Sequence, residues 1–80
     1  MNTSNTEIDQ LLDHLLEADT RSEMSTRLAQ LLTPSEYDEV IKRLQILRML
    51  DQGIPQRKIA ETLGVGIATV SRGARARKDR

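Results

Sequence analysis

Apolar residues recur at helical spacing along nearly the whole chain, and no stretch alternates with the period of two that marks a strand. Ile8, Leu11, Leu12, Leu15 and Leu16 fall at i, i+3, i+4, i+7 and i+8, one stripe of a helix that opens near Thr6 and runs to about residue 18. Met24, Leu28, Leu31 and Leu32 form a second stripe on a helix that starts at Thr20 or Ser22 and stops before Thr33. Glu23 stands near the positive end of its dipole. Thr33-Pro34-Ser35-Glu36 is the sharpest helix start in the chain: a threonine N-cap, a proline at the first helical position and a glutamate placed to close a capping box. This third helix is expected to run to about Gln52, with Gly53 ending it in the left-handed conformation. Its apolar positions, Val40, Ile41, Leu44, Ile46, Leu47, Met49 and Leu50, cover more than one stripe, so burial on two sides is expected. Few apolar residues are left over in the chain to supply the second covering surface, which points to another protomer.

The stretch from Ile54 onward divides into two short helices around Leu63-Gly64-Val65, and Gln56 to Arg75 has the layout of a helix-turn-helix. Ile59 and Leu63 face the core from its first helix, and Ala60 is small where the second helix must cross closely. Gly64 supplies positive φ at the turn, Val65 plugs the turn, and Val70 anchors the second helix. Ile67, Ala68, Thr69, Ser71, Arg72 and Arg75 are then left exposed, small, polar or basic side chains that suit a DNA major groove. A plain helical hairpin with alanine and glycine at close contacts is the competing reading. The expected organisation is a disordered segment over residues 1–5, a helical dimerisation core over 6–53, a helix-turn-helix head over 54–78 and a basic tail end at 79–80.

The formal net charge of zero conceals a strong asymmetry. Residues 1–40 carry two basic side chains against nine acidic ones, a balance of −7, whereas residues 41–80 carry ten basic against three acidic, a balance of +7. A polyanion-binding end on a non-binding body fits this division, and so does a solvated basic tail. With 80 residues the chain allows one small domain, which as a monomer would bury only about 60% of its unfolded surface. The chain has no cysteine, tryptophan or phenylalanine and a single tyrosine, so disulfides and thiolate metal sites are excluded and oligomerisation remains as the source of stability. No apolar stretch approaches the roughly 18 residues of a membrane span, and the N-terminus lacks the basic-then-apolar layout of a secretory signal, so no membrane association and a cytoplasmic location are expected. His14 falls off the leucine stripe and is expected to be solvated, as is the row Asp9, Asp13 and Glu17. Tyr37 is expected to pack at a surface or interface. No acid, base and nucleophile set converges, so an enzyme is not expected.

Leu32 to Lys78 resembles the tryptophan operon repressor family. The resemblance rests on the LTP start, Arg43 with Ile46, Gly53, Gln56-Arg57 and GIATVSRG from Gly66 to Gly73. It implies an all-α chain of five helices with a C-terminal helix-turn-helix, forming an intertwined homodimer whose two heads enter successive major grooves about one helical turn, ~34 Å, apart. It further implies L-tryptophan or an indole-like corepressor between Arg43 and Arg72, with Thr33 and Gly73 lining the pocket. Ala76 departs from the family, which has a serine there that helps hold the ligand's amino group. Arg43 has a second reading as a surface partner of Glu39, and Arg72 a second reading as a phosphate contact.

By role, Gln56 and Arg57 are expected at phosphates together with free helix amides, and Ile67, Ala68 and Thr69, following Gly66, at base edges. Ser71 is assigned to a base or a phosphate, and Arg75, Arg77, Lys78 and Arg80 to phosphates. The expected function is a sequence-specific DNA-binding transcriptional regulator, a repressor at a near-palindromic operator. The alternatives are a ligand-independent DNA-binding protein and a helical dimeric module that contacts protein or RNA.

Overall fold

The computed structural model describes residues 4–78, and over them the chain forms five α-helices and no strand. They are α1 (Asn5–Leu16), α2 (Arg21–Leu31), α3 (Pro34–Asp51), α4 (Gln56–Leu63) and α5 (Ile67–Lys78). Two compact units divide the chain after Tyr37, within α3.

In the first unit each helix starts on a side chain that satisfies an otherwise orphaned amide. Ser4 Oγ accepts from Glu7 N at 3.1 Å and Thr20 Oγ1 accepts from Glu23 N at 3.1 Å, while Glu23 Oε2 reaches back to accept from Asp19 N at 2.6 Å. Ser4 and Asn5 are therefore ordered as the cap and first residue of α1, contrary to a disordered segment reaching residue 5. Residues 1–3 of that segment, and the tail end at 79–80, lie outside the described residues. α1 also ends earlier than expected, at Leu16.

α1 and α2 pair through a polar contact that periodicity does not reveal. Arg27 donates to the His14 carbonyl at 2.8 Å, to His14 Nδ1 at 3.1 Å and to Glu17 Oε2 at 3.3 Å. The guanidinium thus neutralises the carbonyl end of α1, a favoured place for a cation. His14 is accordingly half-buried rather than solvated, and its Nε2 is buried without a hydrogen-bond partner. The leucine stripe of α1 stays open: Ile8, Leu11, Leu12 and Leu16 are all exposed, and only Leu15 is half-buried.

The second unit holds the buried core. Ile46 from α3, Ile59 and Ala60 from α4 and Val70 from α5 are buried, with Met49, Leu50, Ile54, Leu63 and Val65 packed around them. Ile46 therefore ties α3 to the helix-turn-helix, and the head extends back into α3 beyond the start at residue 54 read from the sequence. The two helix ends in this unit follow one design. At the end of α3, Gly53 has φ +80°, its N–H bonds to the Leu50 carbonyl at 3.0 Å, and Ile54 N bonds to the Met49 carbonyl at 3.1 Å. At the end of α4, Gly64 has φ +67° and Val65 N bonds to the Ala60 carbonyl at 3.1 Å. Each left-handed glycine closes the last turn and delivers the apolar residue after it, Ile54 or Val65, to the core. Along α3, Val40, Ile41 and Leu44 remain exposed. The broad apolar girth of this helix is thus only partly covered within one chain.

Candidate nucleic-acid interface

α4 and α5 form the expected pair, joined by Gly64-Val65-Gly66. Pro55 precedes α4 and offers no side-chain cap, so the amides of its first turn are left for an outside acceptor. Gln56 and Arg57 open that helix and are exposed. Gly66 supplies the carbonyl that accepts from Thr69 N at 3.1 Å and Val70 N at 3.4 Å, which starts α5 without a bulky side chain at its tip. Ile67 is 51% exposed and Ala68 is exposed, whereas Thr69 is half-buried. The fully buried Val70 sets this orientation: with its side chain directed to Ile46 and Ile59, Ile67 and Ala68 turn outward.

Three polar contacts organise the face. Ser71 Oγ donates to Gln56 Oε1 at 2.8 Å and so joins the middle of α5 to the start of α4. The bond occupies the amide oxygen and leaves the Gln56 NH2 group as a donor beside the open amides of α4. Arg72 donates to Thr69 Oγ1 at 3.4 Å, one turn back along α5. Arg77 Nε donates to Asp51 Oδ1 at 2.5 Å, which links the last turn of α5 to the end of α3. Arg77 is therefore paired rather than free, unlike the plain phosphate binder read from the sequence. Among the described residues Arg57, Arg75 and Lys78 have no salt-bridge partner.

The four positions associated with a ligand are placed as follows. Thr33 Oγ1 accepts from Glu36 N at 3.1 Å while Thr33 N donates to Glu36 Oε1 at 2.8 Å, so Thr33 is the N-cap of α3 in a complete capping box. Arg43 donates to Glu39 Oε2 at 3.4 Å, one turn away on an exposed face, the surface pairing its sequence position also allowed. Arg72 is exposed on α5. Gly73 lies against the core: a Cβ added there would stand 2.8 Å from Ile46 Cγ2. Among the described residues no group of three or more His, Cys, Asp or Glu is placed to hold a metal ion. Asp51, Ile46 and the Gln56–Ser71 pairing were not read as parts of this region. The available signal was Asp51 itself, an acid in a strongly basic half of the chain.

Comparison with known proteins gives one consistent result. A family model described as Trp repressor protein matches residues 6–80. A Trp operon repressor homolog of Vibrio cholerae is 39% identical over 75 residues, covering 92% of this chain and 73% of the relative. One of Photobacterium profundum is 43% identical over 70 residues, covering 86% and 68%. One of Pasteurella multocida is 48% identical over 48 residues, covering 59% and 47%. No solved structure matches significantly.

Proposed function

The chain belongs to the Trp repressor family, a family of transcriptional regulators rather than enzymes, and from that premise we propose how its own residues carry DNA-binding repression. The observation that carries the proposal is the outer edge of α5. Ile67 and Ala68 stand outward on a helix whose inner side is locked by Val70, in a head that also exposes the cations Arg57, Arg75 and Lys78. Inserted into a major groove, Ile67 and Ala68 make apolar contacts such as those to thymine methyls, and Thr69 offers a hydroxyl to a base edge. Gly66 lets the backbone at the helix start come close. Gln56, through its free NH2 group, and Arg57 hold phosphates together with the open amides of α4. Arg75 and Lys78, with Arg72 at the flank, hold further phosphates along the backbone. Ser71 serves by fixing Gln56 in place. Occupying an operator in this way excludes other proteins from the promoter.

Two copies of the chain act together in this reading. Ile8, Leu11, Leu12, Leu16, Val40, Ile41 and Leu44 are exposed in one chain, and a second copy is the surface that covers them. A two-fold dimer reads a near-palindromic operator with half-sites about one helical turn apart. Among the described residues no helix is long and apolar enough to cross a membrane, and the cytoplasm, where promoter DNA is reached directly, is the proposed location.

For the corepressor, Thr33, Arg43, Arg72 and Gly73 are the proposed contacts of L-tryptophan or an indole-like ligand, with the two guanidinium groups stacking on the indole. A ligand-independent repressor is the second reading. It is favoured by the Glu39–Arg43 pair, which engages one of the two guanidinium groups on the surface of α3.

Selection of bound duplexes from a random DNA library, with and without L-tryptophan, tests both readings. The expected result is one enriched near-palindrome over a background whose affinity falls steeply with salt, by about 0.9 log unit per log unit of salt for each phosphate neutralised. No enrichment at any tryptophan concentration would overturn sequence-specific binding. Equal enrichment with and without tryptophan would select the ligand-independent form.

A further inference from the structure

Asp51 is a carboxylate in the half of the chain that otherwise gathers cations. Residues 41–80 hold three acids, Asp51, Glu61 and Asp79, against ten basic residues. Asp51 is the last residue of α3, where a negative charge meets the negative end of the helix dipole, so its own helix does not favour it. What favours it is Arg77, 26 residues along the chain in the last turn of α5, whose Nε donates to Asp51 Oδ1 at 2.5 Å. The other ion pairs among the described residues are longer, at 3.3 and 3.4 Å. Both partners remain in solvent, with side chains 46% and 66% exposed. Ion pairs of that exposure hold only weakly. A DNA phosphate, whose binding also releases condensed counterions, competes for the same guanidinium.

We propose that Asp51 is an internal stand-in for a DNA phosphate: it occupies Arg77 in the free protein and so sets the affinity of the head for DNA below the value its cations would otherwise give. The inference rests on the DNA-binding reading above. Phosphate contacts position a protein without reading sequence, so Asp51 tunes affinity for all duplexes alike and leaves base preference to α5. Arg77 and Arg75 are then not equivalent, although both stand in the last turn of one helix. Arg77 contributes only what remains after Asp51 has been displaced.

The test is a double-mutant cycle on a mixed-sequence DNA duplex, with wild type, Asp51→Asn, Arg77→Ala and the double variant titrated across a range of salt. Asp51→Asn is expected to tighten binding about fivefold at each salt concentration, because the phosphate no longer has to displace a carboxylate from Arg77. Arg77→Ala is expected to weaken the wild type little and to abolish the gain when combined with Asp51→Asn. An equal gain from Asp51→Asn with and without Arg77 would mean simple charge repulsion, and would overturn the proposal. Unchanged or weaker binding by Asp51→Asn would overturn it too, the latter by making Asp51 a support for Arg77. If the wild type shows no salt-dependent duplex binding, the DNA reading fails and this inference with it. If the wild type binds but the cycle is flat, this inference alone fails. Circular dichroism of every variant establishes folding, and Asp51→Ser replaces Asp51→Asn in the cycle if the latter does not fold.

Discussion

Two glycines of the head show how one residue type answers different physical demands. Gly73 would bring a Cβ to 2.8 Å from Ile46 Cγ2, and that methyl sits on a stiff β-branched side chain that is only 1% exposed. Gly73→Ala should therefore destabilise the protein by about 1–3 kcal/mol, the usual range for overpacking a close contact. Gly66→Ala is the control, since nothing lies within 4 Å of a Cβ at Gly66. Urea unfolding that gave both variants the same midpoint would remove the contact argument. At Thr33 the demand is for an acceptor: its Oγ1 takes the Glu36 amide in a box closed from both sides. Thr33→Ala should cost about 1 kcal/mol and Thr33→Ser much less, because serine keeps the acceptor. This loss is one of stability, read by thermal unfolding without ligand, and it is separable from any loss of tryptophan binding.

At the scale of the helix, stops and starts matter more than propensity. Gly64 ends α4 at φ +67° in open space, so the cost of a side chain there is the backbone conformation and nothing else. Gly64→Ala should lose about 1–2 kcal/mol, and Gly64→Asn should recover part of it, because asparagine tolerates the left-handed region. Asparagine at position 73 should show no such recovery. Calorimetric melting of the four variants distinguishes strain from crowding, and equal losses for alanine and asparagine at both positions would contradict the assignment. α5 also shows why a helical wheel alone does not assign contacts. By sequence position Ser71 and Arg77 are both expected at DNA, yet one is engaged by Gln56 and the other by Asp51. Each partner lies on a different helix, and only the way those helices cross brings the groups within reach.

For the molecule as a whole, the distribution of apolar surface is the central fact. Buried side chains are concentrated where α3, α4 and α5 meet, whereas the stripes on α1 and the first half of α3 remain open. Ile8, Leu11, Leu12 and Leu16 recur with the regularity of a core face and are all exposed in one chain. A second copy covering them predicts that the purified protein has the mass of two chains by multi-angle light scattering. Leu12→Glu should reduce it to one chain or unfold it, because burying a carboxylate in an apolar interface is strongly unfavourable. A wild type that is a monodisperse monomer at micromolar concentration would sink this prediction. The charge division fits the same picture, with the −7 half carrying the stripe of α1 and the +7 half carrying the head.

The amino-acid sequence by itself determined the five helices, the cap at Thr33, the glycine stops at Gly53 and Gly64, and the outward edge at Ile67 and Ala68, while it left the start of α2 open between Thr20 and Ser22. These depend on neighbours within a turn or two, so spacing and residue type suffice to read them. It also placed Ile59, Ala60 and Val70 in the core, because the helix-turn-helix is itself a local unit. Only the tertiary structure decided that Ile46 rather than its neighbours on α3 would lie beneath Gly73, and that His14 would face Arg27. It likewise decided that Ser71 would hold Gln56 and that Asp51 would hold Arg77. Those partners are 13 to 27 residues apart on different helices, and their meeting depends on crossing angle and side-chain rotamer, which no period along the chain encodes.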